Sequence, residues 1–131
     1  CFASPTREKA AAHTGTFYAW MFNGEALFAA LRGTHAVVAG EAARKGPVCF
    51  ETFPQAVACV LAGRIVPARQ KGTIRRRLLA EAGVDCAQLT RIDLVDAALC
   101  ALAATAYLAG KARLVGDREE GFIVLPGVSA R

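Results

Sequence analysis

One long segment, residues 90–110, constrains the fold of this chain of 131 residues more than any other feature. Its sequence, TRIDLVDAALCALAATAYLAG, is dominated by alanine and leucine, which are strong helix formers, and it predicts a single long helix. Thr90 suits the N-cap position, and Gly110 suits a left-handed stop. Because nearly every residue from Leu94 to Leu108 is apolar, this helix is predicted to be buried in the core.

Two carboxylates, Asp93 and Asp96, interrupt the apolar helix and lie three residues apart, on one helical face. An ionised group on a buried helix is costly unless it is paired or binds a metal. For Asp93 two interpretations stay open, because it can complete a capping box with Thr90 or serve a site. Asp96 lies beyond the cap, between Val95 and Ala97, and we therefore interpret it as a functional residue.

The length and composition of the chain predict one domain, 1–131, without a membrane-spanning segment. The chain begins at Cys1 without a basic and apolar leader, so we expect no signal peptide and interpret the sequence as a portion of a longer protein. The longest apolar run, 94–109, contains Asp96 and therefore does not predict a membrane helix. Five cysteines without a CxxC pair predict free thiols in a reducing, cytoplasmic setting, and their distance from both histidines argues against zinc.

The net charge of +5 is concentrated in one part of the chain. Residues 52–80 contain no acid, and they include six basic side chains: Arg64, Arg69, Lys71, Arg75, Arg76 and Arg77. Such an excess can attract a polyanion, or it can be an ordinary solvated surface, and charge alone leaves both interpretations open.

The remaining pattern predicts an α/β domain with helices packed on a small mixed sheet. Half of the aromatic side chains fall in a predicted helix over 16–32, where they are more typical of a core or contact surface than of base stacking. Glu51 lies at the carboxyl end of a predicted strand, where α/β sheets build sites, although it can also be an exposed strand-end acid. The other predicted segments are a loop over 1–15, strands over 34–39, 48–53, 112–115 and 121–125, and helices over 54–63 and 73–82.

The acids and bases together suggest phosphodiester chemistry, since no Ser/His/Asp set, P-loop or dinucleotide fingerprint is present. Clustered carboxylates such as Glu51, Asp93 and Asp96 can hold Mg²⁺ or Mn²⁺. A metal pair held in this way can activate water and stabilise the leaving oxygen. The phosphates of the substrate would then be held, and developing charge offset, by Lys71 and its basic neighbours Arg69, Arg75, Arg76 and Arg77.

The order of motifs over 48–126 resembles a predicted RNase H-like nuclease family, domain of unknown function 429. The motifs are FETFP at 50–54, KG at 71–72, RRRLL at 75–79, AG at 82–83, DLVDA at 93–97 and VGDREEGFIVLP at 115–126. The DLVDA motif also resembles the last acidic motif of Holliday-junction resolvases. The resemblance implies an RNase H-like fold with Glu51, Asp93 and Asp96 at the positions of the later catalytic acids, and a Mg²⁺ or Mn²⁺ cofactor.

One feature of that family has no counterpart in this sequence. RNase H-like folds place another catalytic aspartate on the first strand of an opening three-strand meander, and Glu8, Glu25 and Glu41 do not lie on a convincing strand. We therefore predict an incomplete RNase H-like fold, either a carboxyl-terminal portion or a shortened relative, that does not complete a two-metal site alone. A missing meander would expose a strand edge to another chain.

Three functional hypotheses follow in this order. The first is a metal-dependent nuclease that uses Glu51, Asp93, Asp96 and Lys71. The second is an RNase H-like module that binds nucleic acid or protein without catalysis. The third is a structural domain that forms homo-oligomers through the aromatic helix 17–31 or an exposed strand edge.

Overall fold

The computed structural model describes residues 5–40, 46–67, 69–119 and 121–127, and these ranges form a mixed α/β arrangement, as predicted. In chain order the elements are α1 (Arg7–Ala11), α2 (Ala19–Leu31), β1 (Ala36–Val37), β2 (Val48–Cys49), α3 (Pro54–Ala62), α4 (Lys71–Glu81), α5 (Ile92–Leu108), β3 (Ala112–Asp117) and β4 (Gly121–Pro126). No helix in the described ranges has both the length and the apolar character needed to cross a membrane.

The strands form two pairs that meet at Glu51. β1 and β2 are parallel, with Ala36 opposite Val48, whereas β3 and β4 form an antiparallel hairpin. Glu51 forms a parallel bridge with Ile123, and its carbonyl oxygen accepts a hydrogen bond of 2.8 Å from the Val124 N–H. The bridge joins the residue after the end of β2 to β4, and neither pair extends into a three-strand antiparallel meander within the described ranges.

The main core lies where α3, α4 and α5 pack together. Val57, Leu79 and Leu99, one from each helix, are fully buried there. A second, smaller cluster joins the end of α5 to the strands through Tyr107 and Val124. Because α5 contributes to both clusters, it is the central element of the fold.

The ends of α5 agree only partly with the prediction. Gly110 adopts the expected left-handed conformation, with φ of 66°. The predicted N-cap at Thr90 is wrong, because the cap is Arg91 and no side chain caps this end, so no capping box with Asp93 forms. The carbonyl oxygens of Leu89 and Thr90 accept hydrogen bonds from the Arg76 guanidinium, which fixes the preceding loop, and the helix begins after it.

The prediction that α5 is buried in the core is confirmed for one side of the helix only. Only one stripe is buried, at intervals of four residues: Val95, Leu99, Ala103 and Tyr107. On the opposite side Leu94 is 38% exposed and Leu108 is 80% exposed. Although α5 packs against α3, α4, β3 and β4, several of its apolar side chains remain exposed in the described structure.

Helix-capping and turn residues predicted the ends of some other helices and strands, but not of all of them. α3 has Pro54 in its first turn and ends at Gly63, which is left-handed with φ of 64°. α4 begins at Lys71, two residues before the predicted start at Thr73, because Gln70 adopts a left-handed N-cap conformation. Both parallel strands are shorter than predicted, and the segment predicted as a loop over 1–15 contains α1.

The aromatic helix α2 has no buried residue, and it makes no extensive packing contact with another element of the described chain. The helix is continuous through Asn23 and Gly24. Trp20 is 64% exposed and Leu27 is 58% exposed. An apolar helix of this kind presents a surface that the described fold leaves uncovered.

Four cysteines, Cys49, Cys59, Cys86 and Cys100, are free thiols of intermediate burial, in agreement with the prediction of unpaired cysteines. Cys1 lies outside the described residues, as does Glu120 of the last sequence motif.

Candidate functional site

A buried guanidinium, that of Arg75, joins the three core helices. It is 5% exposed, donates one hydrogen bond to Asp96 Oδ1 on α5, and donates another of 2.7 Å to Gln55 Oε1 on α3. The Gln55 amide in turn donates to the carbonyl oxygen of Val66, at 2.7 Å. This Arg75–Asp96–Gln55 network therefore fixes α3, α4, α5 and the chain that follows α3 in one arrangement.

The position of Arg75 on its helix explains why a charged side chain is buried there. Arg75 lies three and four residues before Leu78 and Leu79, which are both core residues, so the same helical face carries all three. A charge removed from water in this way requires a partner, and Asp96 provides it. The carboxylate on α5 is thus accounted for by an ion pair with α4. The sequence signal for its burial was the position of Arg75, three and four residues before two leucines on the same helical face.

The other two predicted acids, Glu51 and Asp93, have exposed side chains. Glu51 follows β2 at the bridge to β4, and Asp93 lies in the first turn of α5. Within the described ranges, no three side chains of the His, Cys, Asp or Glu type lie together in a way that could hold a metal ion. The described residues therefore do not fit a two-metal centre, and the Asp96 carboxylate already has Arg75 as its counter-ion.

The beginnings of α3, α4 and α5 lie at the same end of the core. Gln55 is the second residue of α3, while Arg75 and Asp96 are each the fifth residue of their helices, and the three side chains form one network. Gly72 in the first turn of α4 also faces Ile92, since a Cβ atom built on Gly72 would lie 4.0 Å from Ile92 Cδ1. Helix N-termini carry partial positive charge, so this end of the core favours anions.

Two of the arginines proposed as phosphate ligands are used inside the protein instead. Arg75 holds Asp96, as described above. Arg76 donates to the carbonyl oxygen of Leu89 through both Nε, at 3.1 Å, and Nη2, at 2.7 Å. Neither guanidinium is therefore a free cation. Arg75 joins α4 to α5, and Arg76 joins α4 to the loop that precedes α5.

The other three predicted phosphate ligands, Arg69, Lys71 and Arg77, are exposed. Arg77 forms a surface ion pair of 3.4 Å with Glu81, one helical turn later. For Arg69 and Lys71, no hydrogen bond or ion pair to another described side chain is present. Lys71 is the first residue of α4, so its charge lies beside the positive end of the helix dipoles.

Asp96 also acts on Cys100, which lies one turn further along α5. Burial raises the pKa of the Cys100 thiol above its ordinary value, and the negative charge of Asp96 raises it further. The thiol form is therefore favoured, and Cys100 has the character of a packing residue rather than of a nucleophile.

The geometry thus defines a mixed α/β domain with a buried arginine–carboxylate pair and exposed basic side chains at one end of its core. The family described as "Protein of unknown function (DUF429)" matches residues 1–120, and the chain belongs to that family. The match begins well before residue 48, where the sequence motifs begin. No match was found among curated proteins or among solved structures.

Proposed function

We propose that this domain is an RNase H-like module that binds the phosphate backbone of nucleic acid and does not itself cleave it. The observation that carries the proposal is the ion pair between the buried Arg75 and Asp96, which gives this carboxylate on α5 a counter-ion from α4. The RNase H-like scaffold is supported by the order of motifs and by the parallel strand followed by helices, with the hairpin β3–β4 beside it. The free thiols are compatible with a reducing compartment, which we propose is the cytoplasm.

The guanidinium of Arg75 competes with a metal for the same carboxylate. A divalent cation at Asp96 would be placed beside a buried positive charge, and like charges in a partly buried site repel each other strongly. Moving Arg75 aside would leave its charge buried among the core residues without a partner. In this proposal Asp96 therefore serves as the counter-ion of Arg75 and not as a metal ligand for hydrolysis.

Exposed positive charge at the helix beginnings supports an anionic partner. Arg69 and Lys71 project from the start of α4, and the dipoles of α3, α4 and α5 add partial positive charge at the same end. Phosphate groups along a nucleic acid match this arrangement, because backbone contacts need charge and exposed N–H groups rather than base-specific side chains.

Replacing both exposed residues in the double variant Arg69→Ala/Lys71→Ala should weaken binding to a labelled DNA duplex and to an RNA–DNA hybrid. Because each lost phosphate contact removes about 0.9 from the slope of log K against log salt, the slope should fall by roughly 2 for duplex DNA. Fluorescence anisotropy over a series of salt concentrations measures both quantities.

The matched control is the double variant Arg64→Ala/Arg118→Ala, which removes the same charge elsewhere. Arg64 follows the C-terminal end of α3, and Arg118 lies in the turn between β3 and β4. The control should retain nearly the full salt slope. Equal effects of the two double variants would show that only net charge matters, and binding unchanged by salt would contradict the proposal.

A second candidate is a metal-dependent phosphodiesterase, and the exposure of Glu51 and Asp93 favours it. Neither carboxylate has a hydrogen bond or ion pair to a side chain in the described ranges, so both remain available to a cation in solvent. Oxygen ligands of this type suit Mg²⁺ and Mn²⁺. In this candidate the two acids would bind the ion, and Lys71 would contact the substrate phosphate.

Titration with Mn²⁺, followed by electron paramagnetic resonance, separates the two functions. We expect no Mn²⁺ site of micromolar affinity and no cleavage of the duplex or hybrid. A micromolar site that is lost in Glu51→Gln or Asp93→Asn, with metal-dependent cleavage, would instead establish the phosphodiesterase. Asp96→Asn is less informative, because it also removes the counter-ion of a buried arginine.

A further inference from the structure

Two apolar surfaces have no packing partner among the residues that the structure describes. The first is the outer stripe of α5, defined by the five exposed residues Leu94, Ala97, Ala101, Thr105 and Leu108. They recur at three- and four-residue intervals and form one continuous helical face, opposite the buried stripe. The second surface is α2, which has no buried residue.

We propose that α2 of one copy packs on the outer stripe of α5 of a second copy, and that the exchange is reciprocal, giving a two-fold symmetric dimer. In such an arrangement the same two surfaces are used twice, and neither of them is left to extend the assembly. Formation of this dimer does not depend on the proposed nucleic-acid binding.

The two surfaces match in length and in the placement of small residues. At about 1.5 Å per residue, α2 and the outer stripe of α5 are each roughly 20 Å long. On α2, Trp20, Gly24, Leu27 and Leu31 share one face, with the glycine between large residues. On α5, Ala97 and Ala101 lie between the two leucines, so each helix offers a shallow centre that permits close approach.

The charge pattern also fits an apolar contact between these helices. From Ala97 to Leu108 the stripe contains no ionisable side chain. α2 contains a single one, Glu25, and this carboxylate is paired with Arg7 at 3.3 Å. Between Ala97 and Leu108, this contact would therefore bury no unpaired charge.

The area available is sufficient for a specific dimer. Each copy contributes five large exposed apolar side chains, Phe17, Trp20 and Leu27 from the α2 region and Leu94 and Leu108 from α5. At roughly 100 Å² for each side chain, the ten side chains of two copies would bury roughly 1,000 Å² in total, which reaches the lower limit for a specific interface. The alanines and Met21 between them add to this area.

Trp20 is the only tryptophan of the chain, so its fluorescence reports directly on α2. We expect light scattering to show a mass of twice 13.8 kDa as the concentration rises through the micromolar range, and Trp20 emission to shift to shorter wavelength over the same range. Ala101→Glu, on the other helix, should weaken association by about tenfold or more and keep the emission at long wavelength, because it would bury an unpaired charge.

The matched control is Ala80→Glu, which makes the same change at an exposed position of α4, away from both surfaces. It should associate like the unmodified chain, and circular dichroism should show the same helix content in both variants. A monomeric mass at every concentration overturns the proposal. Association that Ala101→Glu does not affect, or that leaves Trp20 emission unchanged, also overturns it, because a different surface such as a strand edge would then be responsible.

Discussion

Replacing Arg75 with alanine should lower the free energy of unfolding by about 3 kcal/mol, the lower end of the range for removing one partner of a buried ion pair, because the Asp96 side chain is 26% exposed. The substitution leaves the Asp96 carboxylate without its counter-ion and the Gln55 side-chain oxygen without its donor. It also removes packing between α3, α4 and α5, which this guanidinium joins. Urea denaturation followed by circular dichroism measures the change.

Arg77, two residues after Arg75 on the same helix, provides the control for this experiment. Arg77→Ala removes a guanidinium from the same helix, but Arg77 is 63% exposed and pairs only with Glu81 across one turn, so the loss should be about 0.3–0.5 kcal/mol. Similar losses for the two variants would show that burial of Arg75 contributes little.

The Arg75→Ala variant also tests the role of its partner. If Asp96 were a metal ligand, Mn²⁺ would bind the folded variant and raise its stability as the metal concentration increases. We expect Mn²⁺ to leave the unfolding midpoint unchanged, because the described residues do not assemble a metal-binding group around Asp96.

Truncation of the centre of α5 should have the second large effect. Leu99→Ala should lower the free energy of unfolding by about 2–5 kcal/mol, because Leu99 is fully buried where three helices meet and its removal creates a cavity. Thermal and urea denaturation should agree on the size of this loss.

The same helix carries the matched control for that truncation. Leu108→Ala changes an identical side chain that is 80% exposed, so its effect should remain within about 0.5 kcal/mol when the chain is monomeric. A large loss in Leu108→Ala at low concentration would show that the outer side of α5 is covered within a single chain. That result would also contradict the dimer, because the outer stripe would no longer be available to a second copy.

Local chemistry was sufficient to predict several elements. Pro54 and Gly63 set the two ends of α3, since proline fits the first helical turn and glycine tolerates the left-handed stop. The spacing of apolar residues and the turn residues also predicted the hairpin of β3 and β4 and the central part of α5. In each case the information lies within a few neighbouring residues, where backbone preferences act.

The sequence by itself determined the α/β class, the position of the central helix and the family resemblance of its motifs. Only the tertiary structure decided which side of α5 is buried, and that Arg75 lies inside the core while Arg77 beside it does not. The physical reason is that burial depends on which helices pack together. A charged residue, whether Arg75 or Asp96, becomes part of the interior only when packing brings its counter-ion to it.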